Sequence, residues 1–116
     1  MIEIQQLSNV LVMRVSGELS LTNVRQFDTA LNMALKEEIG RVVLDLSSLA
    51  HIDYKLVPHI VDRMIEIECL GGKLKLAGSN PYVSNILKLM GLEEEFYTSV
   101  EDAVISFSPI SEDELQ

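Results

Sequence analysis

Two spacings of apolar residues run through the chain, and each predicts one type of element. Val10–Val15 and Val42–Leu46 are short apolar runs rich in β-branched residues, which is typical of strands buried on both faces of a sheet. From Val57 to Ile67 the apolar residues recur at helical spacing with charged residues on the other side, which predicts an amphipathic helix. A turn-like segment at Ser47–Ala50 is expected to connect the central strand to this helix.

The rest of the chain continues this alternation. Residues 2–7 are expected to form a hairpin with Val10–Val15, followed by helices near 22–36, 81–90 and 99–107 and strands at 73–77 and 96–98. The order β-β-α-β-α-β-α-(β)-α predicts an α/β fold with a mixed, mostly parallel sheet of four to five strands, packed with about four helices. We expect the Val42–Leu46 strand to lie at the centre of that sheet.

Single residues refine the prediction. Ser20 or Thr22 is expected to cap the first long helix, and Ser99 is expected to cap the last one. Cys69 is expected on the buried side of a helix end, and Met90 is expected to face inward. The residues predicted for the core of the sheet and the central helix are Val43, Leu44, Ile60 and Met64.

Charge and hydropathy narrow the function classes. The 116 residues include 18 Asp and Glu against nine Lys and Arg, a formal net charge of −9 at pH 7. Binding to nucleic acid requires basic residues that neutralise phosphates, so we expect no nucleic-acid partner, and basic protein surfaces are favoured. No apolar run approaches the roughly 20 residues that span a bilayer, and no signal peptide is visible, which predicts a soluble cytoplasmic domain without membrane insertion. We expect a monomer or weak dimer.

Five short motifs, in order and at similar spacing, resemble the landmarks of a known family. They are Gly17-Glu18-Leu19, Val43–Ser47, Ile52-Asp53, Gly71–Leu74 and Met90-Gly91-Leu92. Together they resemble the STAS domain, which is the domain of bacterial anti-sigma-factor antagonists and is also found appended to sulphate transporters. The resemblance runs from about residue 10 to about residue 104 and implies a STAS domain over residues 1–108. The acidic composition after Pro109 predicts a short acidic tail at 109–116.

The resemblance implies a non-enzymatic interaction domain without a cofactor. In typical antagonists, a serine at the start of the central helix is phosphorylated by an anti-sigma factor that carries a kinase-type ATP-binding domain, and only the unmodified form binds that kinase. The segments that meet the kinase correspond here to Ser20, Leu21, Thr22, Asp53, Tyr54, Lys55 and Leu56. Among these we expect Tyr54 to be the strongest anchor, because exposed aromatic residues often dominate interfaces.

The chain departs from the family pattern at the switch itself. Lys55 stands at the phosphoacceptor position, Leu56 replaces the usual glycine, and Ser20 replaces an acidic residue. Lysine has no hydroxyl that could accept a phosphoryl group, so the usual phosphorylation cycle is not expected. Tyr54, Ser20 and Ser79 keep nearby hydroxyls and are the remaining candidate acceptors.

The sequence leaves two alternatives to this function. Within the family, the chain could be a constitutive subunit of a larger assembly, such as a stressosome-like particle or a lipid-transport complex. A small α/β enzyme is the alternative from another class, but no nucleophile motif or glycine-rich phosphate loop is present. His51, Asp53 and His59 match no compact metal-ligand spacing, so no metal is expected. Asp45 is expected to bind backbone N–H groups of the following turn, not to act as a phosphoacceptor.

Overall fold

The chain folds into strands that alternate with helices. The computed structural model describes residues 2–7, 9–37, 40–78, 81–92 and 96–107. In chain order the elements are β1 (Ile2–Leu7), β2 (Val10–Val15), β3 (Gly17–Leu19), α1 (Val24–Lys36), β4 (Arg41–Asp45), β5 (Leu49–Ile52), α2 (Val57–Cys69), β6 (Lys73–Ala77), α3 (Pro81–Leu89), β7 (Phe96–Tyr97) and α4 (Val100–Ser106). A short 3-10 turn, Tyr54–Leu56, leads directly into α2.

β4 lies at the centre of the main sheet, as predicted. Within the described ranges this sheet has five strands in the spatial order β1-β2-β4-β6-β7, with β1 antiparallel to β2 and the other neighbours parallel. Leu44 of β4 lies in register between Met13 of β2 and Leu76 of β6. The α/β class and the mixed, mostly parallel sheet are therefore confirmed, together with four helices in the described part of the chain.

The two faces of the main sheet are covered unequally. On one face, side chains pack with α1, α2 and α3 in the larger core, while on the other face a smaller cluster packs with α4. Successive residues of a strand point to opposite faces, so Leu44 joins the larger core and Val43 lies beneath α4. The four predicted core residues, Val43, Leu44, Ile60 and Met64, are all buried.

A second, two-stranded sheet was not predicted. β3 and β5 pair in parallel, with Glu18 opposite His51 and Leu19 opposite Ile52. The interpretation of Ser47–Ala50 as a turn is therefore wrong for its second half, which begins β5. The reason is physical: strands of three and four residues are too short for a visible alternation, and their pairing joins segments far apart in sequence.

The ends of α2 and α3 lie where the sequence predicts them, but two side chains near these ends are more exposed than predicted. Gly71 and Gly91 adopt φ of +90° just after α2 and α3, as their positions predict. Cys69, predicted to be buried, is exposed, because it follows the buried Ile67 by two residues, about 200° around the helix. Met90, predicted to face inward, is 41% exposed, and it lies one residue beyond Leu89, the last residue of α3.

Two glycines let β4 and β6 start side by side. The N–H of Lys73 donates to the carbonyl oxygen of Gly40 over 2.7 Å. A Cβ placed on Gly72 would lie only 2.8 Å from the Cα of Gly40, which is closer than real Cβ atoms approach. The sheet therefore requires glycine at position 72, while a Cβ on Gly40 would lie 3.1 Å from the Cα of Gly72, a tight contact.

Candidate functional site

The two segments predicted to meet a partner follow β3 and β5. Because these strands are parallel, their carboxyl ends lie at the same edge of the small sheet, so residues 20–23 and 53–56 lie next to each other. The N–H of Asp53 donates to the carbonyl oxygen of Leu19 over 3.0 Å and joins the two segments directly. The structure thus brings together segments that are about thirty residues apart in sequence.

Asp53 shapes the start of the helical segment. Its carboxylate accepts a hydrogen bond from the backbone N–H of Lys55 over 3.0 Å, which is the geometry of a helix N-cap. The N–H of Leu56 donates to the carbonyl oxygen of Asp53 over 2.8 Å and closes the 3-10 turn. Pro58 follows in the first turn of α2, where its missing N–H leaves no hydrogen bond unmade.

The side chains after Asp53 point in different directions. Tyr54 is 60% exposed and Lys55 is exposed as well, whereas Leu56 is only 1% exposed and packs in the larger core. Asp53 contacts Lys55 only through the backbone N–H of Lys55. The ammonium group of Lys55 makes no ion pair with any described residue. Leu56 therefore packs in the core beneath the site and is not part of its surface.

A compact hydrogen-bonded loop forms the other half of the site. The hydroxyls of Ser20 and Thr22 lie 2.8 Å apart, and the N–H of Thr22 donates to the Ser20 hydroxyl over 3.3 Å. Asn23 accepts from the N–H of Ser20 over 2.9 Å and donates to the carbonyl oxygen of Glu18 over 2.8 Å. The predicted capping of α1 by Ser20 or Thr22 is wrong, because Asn23 occupies the N-cap position and its side chain fixes the loop instead.

We call the solvent-accessible part of these segments the two-loop surface. It consists of the exposed Leu21, Thr22, Tyr54 and Lys55 and the half-buried Ser20 and Asp53. Leu21, at 61% exposure, and Tyr54 are its two large apolar side chains. One carboxylate and one ammonium group complete it, so the surface suits protein binding through an aromatic anchor better than it suits chemistry on a small molecule.

A polar contact that the sequence did not reveal joins the two helices behind this surface. Nε2 of His59 in α2 lies 2.7 Å and 3.0 Å from the two carboxylate oxygens of Asp28 in α1, and Arg63 lies 3.5 Å from the same carboxylate. The imidazole of His59 thus contacts Asp28 of α1 and does not form a group with His51 and Asp53. Among the described residues, no group of three or more His, Cys, Asp or Glu side chains could hold a metal ion.

A pair of stacked rings, also missed in the sequence, lies on the small sheet. The rings of His51 in β5 and Tyr82 in α3 are 5.4 Å apart between centroids and are inclined by 17°. The two residues are 31 positions apart, and no periodicity connects them. Only the packing of α3 against β5 brings them together.

Asp45 lies on the other face of the main sheet and serves the turn after β4. Its carboxylate accepts from the N–H and the hydroxyl of Ser47 over 2.9 Å and 2.7 Å, and from Nε of Arg14 over 3.3 Å. This arrangement confirms the expected role in the following turn. Asp45 and Arg14 line a cleft of about 600 Å³ beside α4.

Of the three candidate phosphate acceptors, Ser20 and Tyr54 lie in the two-loop surface, and Ser79 lies outside the described residues.

Comparisons with known proteins agree with the fold. A family model described as the STAS domain matches residues 1–103. The structure of the anti-sigma factor antagonist SpoIIAA in its unphosphorylated form is 21% identical with a TM-score of 0.77, over 90% of this chain and 93% of that one. The Thermotoga maritima protein TM1081 is 22% identical with a TM-score of 0.82, over 90% and 92% of the two chains. A variant of RsbS from Moorella thermoacetica is 18% identical with a TM-score of 0.77, over 96% and 97%.

At these identities the structural likeness shows the fold alone. No curated protein matches the chain by sequence. In the described part of the chain, none of the helices has the length and apolar character needed to cross a membrane.

Proposed function

The chain belongs to the STAS domain family, and on that premise we propose that it is a non-enzymatic interaction domain of bacterial regulation, similar to an anti-sigma-factor antagonist. The proposed partner is an anti-sigma factor, or a related regulator, with a kinase-type ATP-binding domain. The proposed interface is the two-loop surface. We propose that the domain acts in the cytoplasm as a monomer or weak dimer.

One observation carries this proposal. The segments that the family resemblance assigns to the partner, residues 20–22 and 53–55, lie side by side at one edge of the small sheet and are tied by the hydrogen bond from Asp53 to Leu19. Both segments present a large exposed apolar side chain, Leu21 and Tyr54. Such anchors with a polar surround are the usual composition of an interface that binds protein.

We further propose that phosphate does not switch this surface at the family's usual position. Lys55 fills that position with a fixed positive charge, whereas a phosphoserine there would bring nearly two negative charges beside Asp53. The hydroxyl of Ser20 is already hydrogen bonded within its loop, to Thr22. Partner binding is therefore proposed to be constitutive.

The interaction is tested by binding. The partner is captured with the tagged chain in its source bacterium, identified by mass spectrometry, purified and titrated by calorimetry. Tyr54→Ala should weaken binding roughly 30-fold, since a hot-spot aromatic contributes about 2 kcal/mol and each 1.4 kcal/mol is tenfold. The matched control is Ile105→Ala, another exposed apolar residue, on α4 across the sheet, which should bind as the wild type does. Full-strength binding by Tyr54→Ala places the interface elsewhere.

The absence of a switch is tested separately. The wild-type chain is incubated with the purified partner and ATP, and its intact mass is measured, followed by peptide mapping. We expect no added phosphate. One stoichiometric phosphate on Tyr54, Ser20 or Ser79 that accompanies partner release would contradict the constitutive interaction.

A second candidate function is a constitutive subunit of a larger assembly, and one observation favours it. A groove of about 710 Å³ between β1 and α1 exposes the apolar residues Ile4, Leu21 and Met33. A subunit of an assembly needs a larger contact surface, and this groove, which shares Leu21 and Thr22 with the two-loop surface, would extend it. Sedimentation of the purified chain with and without its captured partner distinguishes a pairwise complex from a larger particle.

A further inference from the structure

We propose that Glu18, His51 and Tyr82 together bind an arginine side chain of the protein partner, an inference that rests on the proposed interaction function. The rings of His51 and Tyr82 stack with centroids 5.4 Å apart, and both residues are exposed. Neither the hydroxyl of Tyr82 nor a ring nitrogen of His51 makes a hydrogen bond with another described residue. No hydrogen bond with a described residue therefore ties up this stack, and a ligand can contact its rings.

Glu18 carries a carboxylate on the strand beside His51. It is the register partner of His51 in the parallel pairing of β3 and β5. Register partners on neighbouring strands are about 4.8 Å apart and present their side chains to the same face. Glu18 is exposed, and its carboxylate makes no ion pair within the described part of the chain. A negative charge and two aromatic faces thus share one small area.

The chemistry of this area selects arginine. A guanidinium group is planar, stacks on aromatic rings and binds a carboxylate through two parallel N–H groups, whereas an ammonium group can only act as a compact charge. The net charge of −9 also favours a basic partner surface. The two rings, the carboxylate of Glu18 and the negative net charge together favour an arginine over a lysine or an apolar side chain.

The arginine site is continuous with the two-loop surface. Asp53 follows His51 by two residues, directly after β5, so a partner that contacts Tyr54 extends naturally onto the ring stack. Glu18 likewise precedes Ser20 by two residues, directly before the other loop. The arginine site therefore adds an electrostatic contact at the side of an interface whose centre is aromatic.

The test uses defined peptides, so that it does not depend on finding the partner. Acetyl-Gly-Arg-Gly-amide and acetyl-Gly-Lys-Gly-amide are each titrated into the ¹⁵N-labelled chain and followed by NMR. We expect the arginine peptide to shift the amide signals of Glu18, His51 and Tyr82, and the lysine peptide to bind roughly two- to fivefold more weakly. Glu18→Gln and Tyr82→Ala should each reduce binding of the arginine peptide by a similar factor.

Matched controls separate this site from general charge and from misfolding. Glu101→Gln removes an exposed carboxylate from α4, and Leu89→Ala truncates an exposed side chain of α3, and both should bind the arginine peptide as the wild type does. Tyr82→Phe keeps the ring and should keep the binding. Equal affinity for the two peptides, or shifts that persist in Tyr82→Ala, would overturn the inference.

The failure of this inference can be distinguished from the failure of the proposed function. With the purified partner, Glu18→Gln and Tyr82→Ala should each weaken the complex, while Tyr54→Ala should leave the arginine peptide bound. A complex that depends on Tyr54 but tolerates both other changes would refute the arginine site and leave the interaction function standing. A complex insensitive to all three would refute both.

Discussion

Replacing Leu56 by alanine tests the division between surface and core at the start of α2. Family resemblance places Leu56 among the residues that meet the partner, but its side chain is 1% exposed and packs in the larger core. Three carbon atoms are removed, which at about 0.8 kcal/mol per buried CH₂ gives a transfer cost of about 2.4 kcal/mol. The cavity left behind raises the expected loss to about 3–5 kcal/mol. That is a large part of the roughly 5–15 kcal/mol that stabilises a domain.

The assay is urea unfolding followed by circular dichroism at 222 nm. With an m value of about 2 kcal/mol/M, the midpoint of Leu56→Ala should fall by about 2 M. The neighbouring Tyr54→Ala is the control, because Tyr54 is largely exposed and its loss should change the free energy of unfolding by about 0.5 kcal/mol or less. An unchanged midpoint for Leu56→Ala, together with weakened partner binding, would refute its burial and return it to the interface.

Three further changes test the core, the sheet and the charge at the switch position. Met64→Ala should lower the free energy of unfolding by about 2–5 kcal/mol, because the side chain is buried in the larger core, and an unchanged urea midpoint would contradict this. Gly72→Ala should cost about 1–3 kcal/mol, because the added Cβ forces the backbone away from Gly40; calorimetric melting measures it, and a melting temperature equal to the wild type's would show that the strands can separate. Lys55→Glu should weaken partner binding more than Lys55→Ala, because it adds repulsion of an acidic partner group to the lost attraction. Wild-type binding should weaken as the salt concentration rises, because salt screens this attraction. Equal affinities of the two variants in calorimetry would exclude the attraction.

The sequence was sufficient where the signal is local and repeated. The β-branched run Val42–Leu46, the helical spacing from Val57 to Ile67 and the glycines after α2 and α3 each depend on neighbouring residues alone, and each prediction was confirmed. The pairing of β3 with β5 was missed because it depends on tertiary contacts between two very short segments. In such segments packing outweighs propensity.

The same limit applies to the candidate site. The family motifs identified residues 20–22 and 53–56, and the structure places these segments side by side. Sequence spacing could not show that Leu56 faces the core while Tyr54 faces outward, since the chain bends through a 3-10 turn between them. It also could not show the contact of His59 with Asp28 or the ring stack on β5, because both join residues on different elements.

The hydrogen bond from Asp53 to Leu19 has a consequence for the kinetics of association. It fixes both loops to one small sheet, and the loop of Ser20 and Thr22 is braced by its own hydrogen bonds, so the surface has little conformational entropy left to lose on binding. A partner then meets a shape that needs no ordering step, and the encounter rate is governed by diffusion and orientation. Differences in affinity among uncharged variants of this surface, such as Tyr54→Ala, should accordingly arise from how long the complex lasts and not from how quickly it forms.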